Sequence, residues 1–237
     1  MTQHNPFLGK KVLVVTAHPD DESPLAGGTI RQVSDSGGEV HLVCATLGEK
    51  GRAYVSEHYT EEELKEVRRK ELLAAGDVLG LSSVFFLNFP DGQLLPHALE
   101  LQAQLSQVIS KLNPEVLMSF GPDGYTGHTD HQTIYAICKS ISTEILLPFA
   151  MFCLPPAPYR QECQEVLFKK RKFGAYSQSQ TCAESNIKIA VNGEQKLRAL
   201  ECHVTQFAGL NPYSLFSPNL ARHVLSFEYF YLREHGH

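Results

Sequence analysis

Apolar residues arrive along this chain as short continuous runs separated by stretches with helical spacing. The first run, Val12-Leu13-Val14-Val15 within Lys11 to Ala17, has no alternation and reads as a strand buried on both faces. Leu25 through Val33 reads as a helix that stops at Gly37-Gly38, and Glu39 to Thr46 as the next strand. Thr60-Glu61-Glu62-Glu63 matches a capping box, with Thr60 as N-cap and Glu63 reaching back, so a helix follows to about Leu79 and Gly80 closes it. Ser83 to Leu87 is a short strand and Pro90-Asp91-Gly92 a turn. Leu101, Leu105, Val108, Ile109 and Leu112 mark one helix face, and Pro114 resets the chain into a strand at Val116.

Further on, Thr133 to Ser142 reads as helix, and Ile145 to Leu154 as an apolar run of open type that ends in Pro155, Pro156 and Pro158. The pattern from Arg160 to Ser185 assigns no element. Asn186 to Val191 reads as a late strand, Glu194 to Phe207 as a helix, and Val224 to Leu232 as a closing aromatic strand. Strands alternating with helices of this length call for right-handed crossovers and a mostly parallel sheet covered on both faces, an α/β fold.

With 237 residues, 43% of them hydrophobic, the chain can bury a full core, and 1–237 is expected to form one domain. The net charge of -5 comes from interspersed charges without a basic block, which argues against a nucleic-acid partner. Met1-Thr2-Gln3-His4-Asn5-Pro6 has no leader pattern and no stretch reaches the roughly 20 apolar residues of a membrane span, so a soluble, cytoplasmic protein is expected. Cys44, Cys138, Cys153, Cys163, Cys182 and Cys202 form no Cys-x-x-Cys pair, and reduced thiols are the plain reading.

Two clusters carry chemistry. Ala17-His18-Pro19-Asp20-Asp21-Glu22 follows the first apolar run, and His128-Thr129-Asp130-His131 follows Val116-Leu117-Met118-Ser119-Phe120. If those strands are neighbours, their C-terminal loops meet and can share one ion. His18 and Asp21 can converge on a metal, and His131 completes a two-His, one-carboxylate set with positions open for water or substrate. Zinc is preferred, although the set also suits ferrous iron. Asp20 is the candidate base. His128 is placed to stabilise an oxyanion and protonate a leaving amine, and Asp130 to orient that imidazole. Either cluster alone reads equally well as a surface pair or a helix N-terminus; together, each at a strand end, they point to a metal hydrolase.

Arg68 and Glu71 fall on or beside the apolar stripe Leu64, Val67, Ala74, Ala75 and Val78, where charges must be paired or used. An internal ion pair accounts for Glu71, whereas Arg68 could instead bind a substrate oxyanion. Asp91 fits turn chemistry and could also meet sugar hydroxyls. His203 reads as a core histidine on a helix.

These clusters, with Gly27-Gly28-Thr29, Thr46-Leu47-Gly48-Glu49, Arg68-Arg69-Lys70-Glu71, Leu79-Gly80, Pro90-Asp91-Gly92 and His203-Val204-Thr205-Gln206 in order, resemble the LmbE-like, or PIG-L, family of zinc-dependent N-acetylglucosamine deacetylases. The resemblance implies a Rossmann-like three-layer α/β/α domain with zinc on His18, Asp21 and His131, Asp20 as base and His128 as acid or stabiliser. Ala45 to Arg52 and Arg68 to Leu72 look most like the deacetylases of bacillithiol synthesis, which act on GlcNAc-malate; Arg68, Asp91 and Arg52 would then face substrate. Two departures stand out. Thr129 replaces a customary Pro, which is expected to loosen the turn between the histidines, and Thr126, with Tyr125 beside it, stands where some relatives have a catalytic Tyr.

The expected partner is a small N-acetylated amino sugar, with a homo-oligomer possible through Phe227-Glu228-Tyr229-Phe230-Tyr231. A GlcNAc-inositol or chitooligosaccharide substrate, a non-catalytic metal-bearing carbohydrate-binding protein and a metal phosphoesterase are the alternatives. The phosphoesterase fits less well, because such enzymes often use two metals and more carboxylate ligands.

Overall fold

The computed structural model describes residues 4–51, 58–169, 184–207, 213 and 216–234. Its first half alternates strand and helix: β1 (Lys11–Thr16), α1 (Glu22–Asp35), β2 (Glu39–Thr46), α2 (Glu61–Leu79), β3 (Ser83–Phe89), α3 (Ala98–Leu112) and β4 (Val116–Ser119). Then come α4 (Gly124–Gly127), α5 (Thr129–Ile145), β5 (Phe149–Phe152), α6 (Tyr159–Lys169), β6 (Ile187–Ala190), α7 (Gly193–Glu201), α8 (Val204–Phe207), α9 (Pro218–Ser226) and β7 (Phe227–Arg233).

The strands form one sheet in the order β3-β2-β1-β4-β5-β7-β6. The first five run parallel, and β7 pairs antiparallel with both β5 and β6. Chain order reverses between β1 and β4, so this is a Rossmann-like α/β fold with its switch point between those strands, where the loops at their C-terminal ends part and leave a crevice. The apolar runs explain the centre of the sheet: Val12 to Val15 and Val116 to Met118 are at most 1% exposed.

The capping box at Thr60 and Glu63 is present, and Gly80 closes α2 at φ 75°, a left-handed conformation that favours glycine. Where the structure departs from the sequence reading, tertiary contacts are the reason. The aromatic strand begins at Phe227 rather than Val224, because Ser217 caps α9 through its hydroxyl and Pro218 starts it, which carries helix through Ser226. The helix expected from Glu194 to Phe207 breaks at Cys202-His203, since the Thr205 amide donates to Glu71 Oε1 at 2.7 Å instead of continuing the helical ladder. The open run after Ile145 resolves into the left-handed Leu146, φ 56°, and then β5.

The aromatic segment expected to offer an interface is paired along both of its edges within the sheet. It lies between β5 and β6, with Tyr229 and Phe230 buried. Helix α6 occupies the start of the stretch left unassigned, and 170–183 lie outside the described residues. No helix among the described residues is long and apolar enough to cross a membrane.

Candidate metal centre and active site

The switch point delivers both clusters to one place. After β1 the chain turns sharply, the Asp21 carboxylate accepting the His18 amide at 2.8 Å, and Glu22 opens α1. After β4 the loop leads to His128, which caps α5: its Nδ1 accepts the Asp130 amide at 3.1 Å. His131 follows in the first turn of α5, its ring stacked on Phe120 with centroids 4.0 Å apart. The turn between the two histidines is thus the start of a capped helix.

Each imidazole spends one nitrogen on the protein. His131 Nδ1 donates to the Gly124 carbonyl at 2.9 Å, leaving Nε2 as a lone pair. His18 Nε2 faces the carboxylates of Asp91 at 3.1 Å and Asp130 at 3.3 Å, leaving Nδ1 as a lone pair. Those remaining nitrogens lie 3.2 Å apart, with Asp21 Oδ1 3.3 Å from His131 Nε2 and Asp21 Oδ2 3.5 Å from His18 Nδ1. Ligand atoms about 2.05 Å from a tetrahedral zinc are about 3.3 Å from one another, so the donor set fits such an ion. His18, Asp21 and His131 are the residues that would hold it.

Electrostatics point the same way. Burial opposes a charge on His18, yet Asp130, Asp21 and Asp91 outweigh it and hold the His18 pKa well above its usual value. Asp21 is held well below the carboxylate range, burial being overcome by His131 and His18. A site with this excess of carboxylates is built for positive charge.

Asp130 and Asp91 are support for His18. Asp130, expected to orient His128, instead turns its carboxylate to His18 and accepts the amides of Gly92 at 2.8 Å and Leu94 at 3.1 Å; it meets His128 through its backbone N–H. Asp91 accepts the Lys50 amide at 3.1 Å, while its own amide donates to Glu49 Oε1 at 2.9 Å. Against burial, His18 and the Lys50 amide bring its carboxyl down to about 2. Tying the β2 and β3 loops together, this clasp leaves Asp91 6% exposed.

Asp20 carries a positive φ of 102°, unusual for a side-chain-bearing residue and a sign of imposed conformation. Its carboxylate lies 3.1 Å from Arg68 Nη2, and the same guanidinium donates to the carbonyls of Pro19 and of Gly48, the latter at 2.7 Å. Gly48 suits that approach, with its left-handed φ of 67° and no Cβ to press on the Arg68 guanidinium. Burial raises the Asp20 pKa against the pull of Arg68, a direction suited to accepting a proton. Arg68 itself is 3% exposed, so it reaches the cleft from beneath as the partner of Asp20. Glu71 meets the amide and hydroxyl of Thr205, not a cation, among the described residues.

The cleft, about 610 Å³, is lined by His18, Asp20, Asp21, Asp91, His128 and His131, together with Arg68, Lys50 and Gln206. That volume accommodates a ligand of sugar-conjugate size. Thr126 lines it, with its hydroxyl 3.4 Å from His131 Nδ1, whereas Tyr125 lines the neighbouring pocket beside Tyr229. Arg52 lies outside the described residues. Sequence reasoning missed Glu49 and Gln206 as parts of the site, although both stand in the motifs that carried the resemblance.

A two-histidine, one-aspartate centre at the switch point of a Rossmann-like sheet defines the class. The family model described as PIG-L, GlcNAc-PI de-N-acetylase, matches residues 13–142. A probable N-acetyl-alpha-D-glucosaminyl L-malate deacetylase 2 of Bacillus anthracis is 31% identical over 204 residues, 84% of this chain and 82% of that protein. A 1D-myo-inositol 2-acetamido-2-deoxy-alpha-D-glucopyranoside deacetylase of Kineococcus radiotolerans is 31% identical over 154 residues, 53% of this chain and 43% of that protein. Among solved structures, N,N'-diacetylchitobiose deacetylase from Pyrococcus horikoshii aligns with TM-score 0.72 and 25% identity, covering 99% of this chain and 88% of that one. The chain therefore belongs to the PIG-L de-N-acetylase family, which places it among the enzymes that hydrolyse a linear amide.

Proposed function

We propose that this chain, as one domain, removes the N-acetyl group from an N-acetylglucosamine conjugate with the help of zinc, and that the conjugate is GlcNAc-malate. The carrying observation is the convergence of His18 Nδ1, His131 Nε2 and Asp21 at 3.2 to 3.5 Å, each ring presenting the nitrogen that it does not spend on its protein support. Zinc held there supplies Lewis acidity to the acetyl carbonyl and acidifies water. Asp20, beside Asp21 and raised in pKa, takes the proton of the attacking water. With Nδ1 of His128 accepting the Asp130 amide, the neutral ring carries its proton on Nε2, where it donates a hydrogen bond to the developing oxyanion, and the proton taken by Asp20 passes to the leaving amine. Arg68 holds Asp20, and Asp91 holds His18. The bacillus relative's malate substrate and the motifs around Gly48 and Arg68 support the aglycone. Free thiols at Cys44, Cys138 and Cys163 fit a cytoplasmic setting.

Acetate release from GlcNAc-malate, GlcNAc-inositol and diacetylchitobiose, assayed side by side, tests the reading. Chelator should abolish turnover and zinc restore it, with ferrous iron as the competing arm. GlcNAc-malate should lead in kcat/KM by at least about tenfold. Asp20→Asn should lower kcat by about 100-fold or more while zinc content stays near parental. Sugar binding without acetate from any conjugate would leave a non-catalytic protein.

A further inference from the structure

Glu22, the first residue of α1, and His203, between α7 and α8, are both 0% exposed although 181 positions separate them. His203 Nε2 lies 2.9 Å from Glu22 Oε1, which also accepts the Ser23 hydroxyl at 2.5 Å. The other oxygen, Glu22 Oε2, accepts the backbone amide of Asp20 at 3.2 Å. His203 therefore connects, through one carboxylate, to the peptide that carries the candidate base.

That peptide needs holding. At φ 102° the Asp20 backbone sits where a residue with a Cβ rarely stays, and two grips act on it: Arg68 on its carboxylate and Glu22 on its amide. The second traces back to His203, and the same late segment also meets the helix that carries Arg68. Two residues after His203, Thr205 donates its amide and hydroxyl to Glu71, each at 2.7 Å, and Glu71 stands one helical turn beyond Arg68 on α2. His203 Nδ1 is buried with no hydrogen-bond partner among the described residues. A residue kept for packing alone would be better apolar there, since an orphaned polar atom is destabilising. What His203 offers that an apolar side chain lacks is its Nε2–H to Glu22.

We infer that the buried Glu22–His203 pair is a positioning device that locks the Asp20 peptide in its strained conformation and so aims the base. The inference rests on the reading of Asp20 as base. It makes His203 a positioning residue for the reaction, acting through Glu22 without touching substrate.

The experiment compares the zinc-loaded full chain with H203L, which removes the donor, and H203Q, whose amide nitrogen can replace Nε2–H. H203L should lose about 10- to 100-fold in kcat, with KM within about twofold and zinc content unchanged, and H203Q should recover most of the rate. In a D20N background, H203L should change the residual rate by less than about twofold, because positioning an absent base gains nothing. Should H203L fail to fold, E22Q reports on the same pair with the same split between kcat and KM expected. Parental kcat in H203L, equal losses in H203L and H203Q, or a full loss persisting in D20N would each overturn the proposal. Full turnover by D20N alone would sink the base reading instead, whereas an inactive D20N beside a fully active H203L sinks only the positioning role.

Discussion

Replacing Asp130 with Asn separates its support of His18 from an influence on His128. The side chain is fully buried, and its two oxygens accept the amides of Gly92 and Leu94 while facing His18 Nε2 at 3.3 Å. An amide keeps one acceptor only. Whichever way the Asn turns, one backbone N–H loses its partner, which costs about 1–3 kcal/mol. For a chain of this size that corresponds to a Tm lower by about 2–12 °C, at about 2–4 °C per kcal/mol. The loss of the carboxylate behind a ligating histidine should also weaken metal binding about 10- to 100-fold, or about 1.4–2.7 kcal/mol. Competition titration of the metal-free protein against a chromophoric zinc chelator measures the second effect, and thermal unfolding by circular dichroism the first. His128→Gln is the contrast: affinity within about threefold of parental, but kcat down by about 100-fold or more. If D130N kept parental zinc affinity and lost only kcat, Asp130 would serve His128 after all and the assignment to His18 would fall.

Thr129→Pro should stabilise the fold. The position is the first of α5, where the ring's φ suits a helix, and His128 before it, at φ -71° and ψ 132°, already has the extended backbone a following proline demands. A gain of about 0.4–1 kcal/mol is expected, read as a Tm higher by about 1–4 °C; a lower Tm would mean the loop is strained as built. The capping box predicts a pH dependence. The amide and hydroxyl of Thr60 hold the Glu63 carboxyl below its ordinary value of 4.5. A depressed folded pKa contributes stability above that value and loses it as pH falls through the folded one. Thr60→Ala should therefore lower Tm more at pH 6 than at pH 3, and an equal loss at both would deny the charged box.

How much of this was legible follows from what each layer demands of residue type. The strands at the centre had to be continuous apolar runs because both faces are covered, so β1 and β4 could be read directly, and the candidate ligands stood where parallel strands end. Coordination restricts donors to a few side chains, which is why His18, Asp21 and His131 could be picked out as candidate ligands. The layer behind them carries no such restriction. Any carboxylate can back a histidine, so Asp91 looked like turn chemistry and Asp130 like a partner for its neighbour His128, when the fold turns both toward His18. The break at His203 was hidden for a related reason: the helical pattern of Glu194 to Phe207 is locally sound, and only Glu71, on another helix, diverts the Thr205 amide. The residues that hold the site's geometry are thus the ones a single chain conceals, because their chemistry is ordinary and only their partners are distant. The same reasoning explains why Arg68 could be seen to need a use on an apolar stripe while the use itself, the grip on Asp20, Pro19 and Gly48, appeared only in three dimensions.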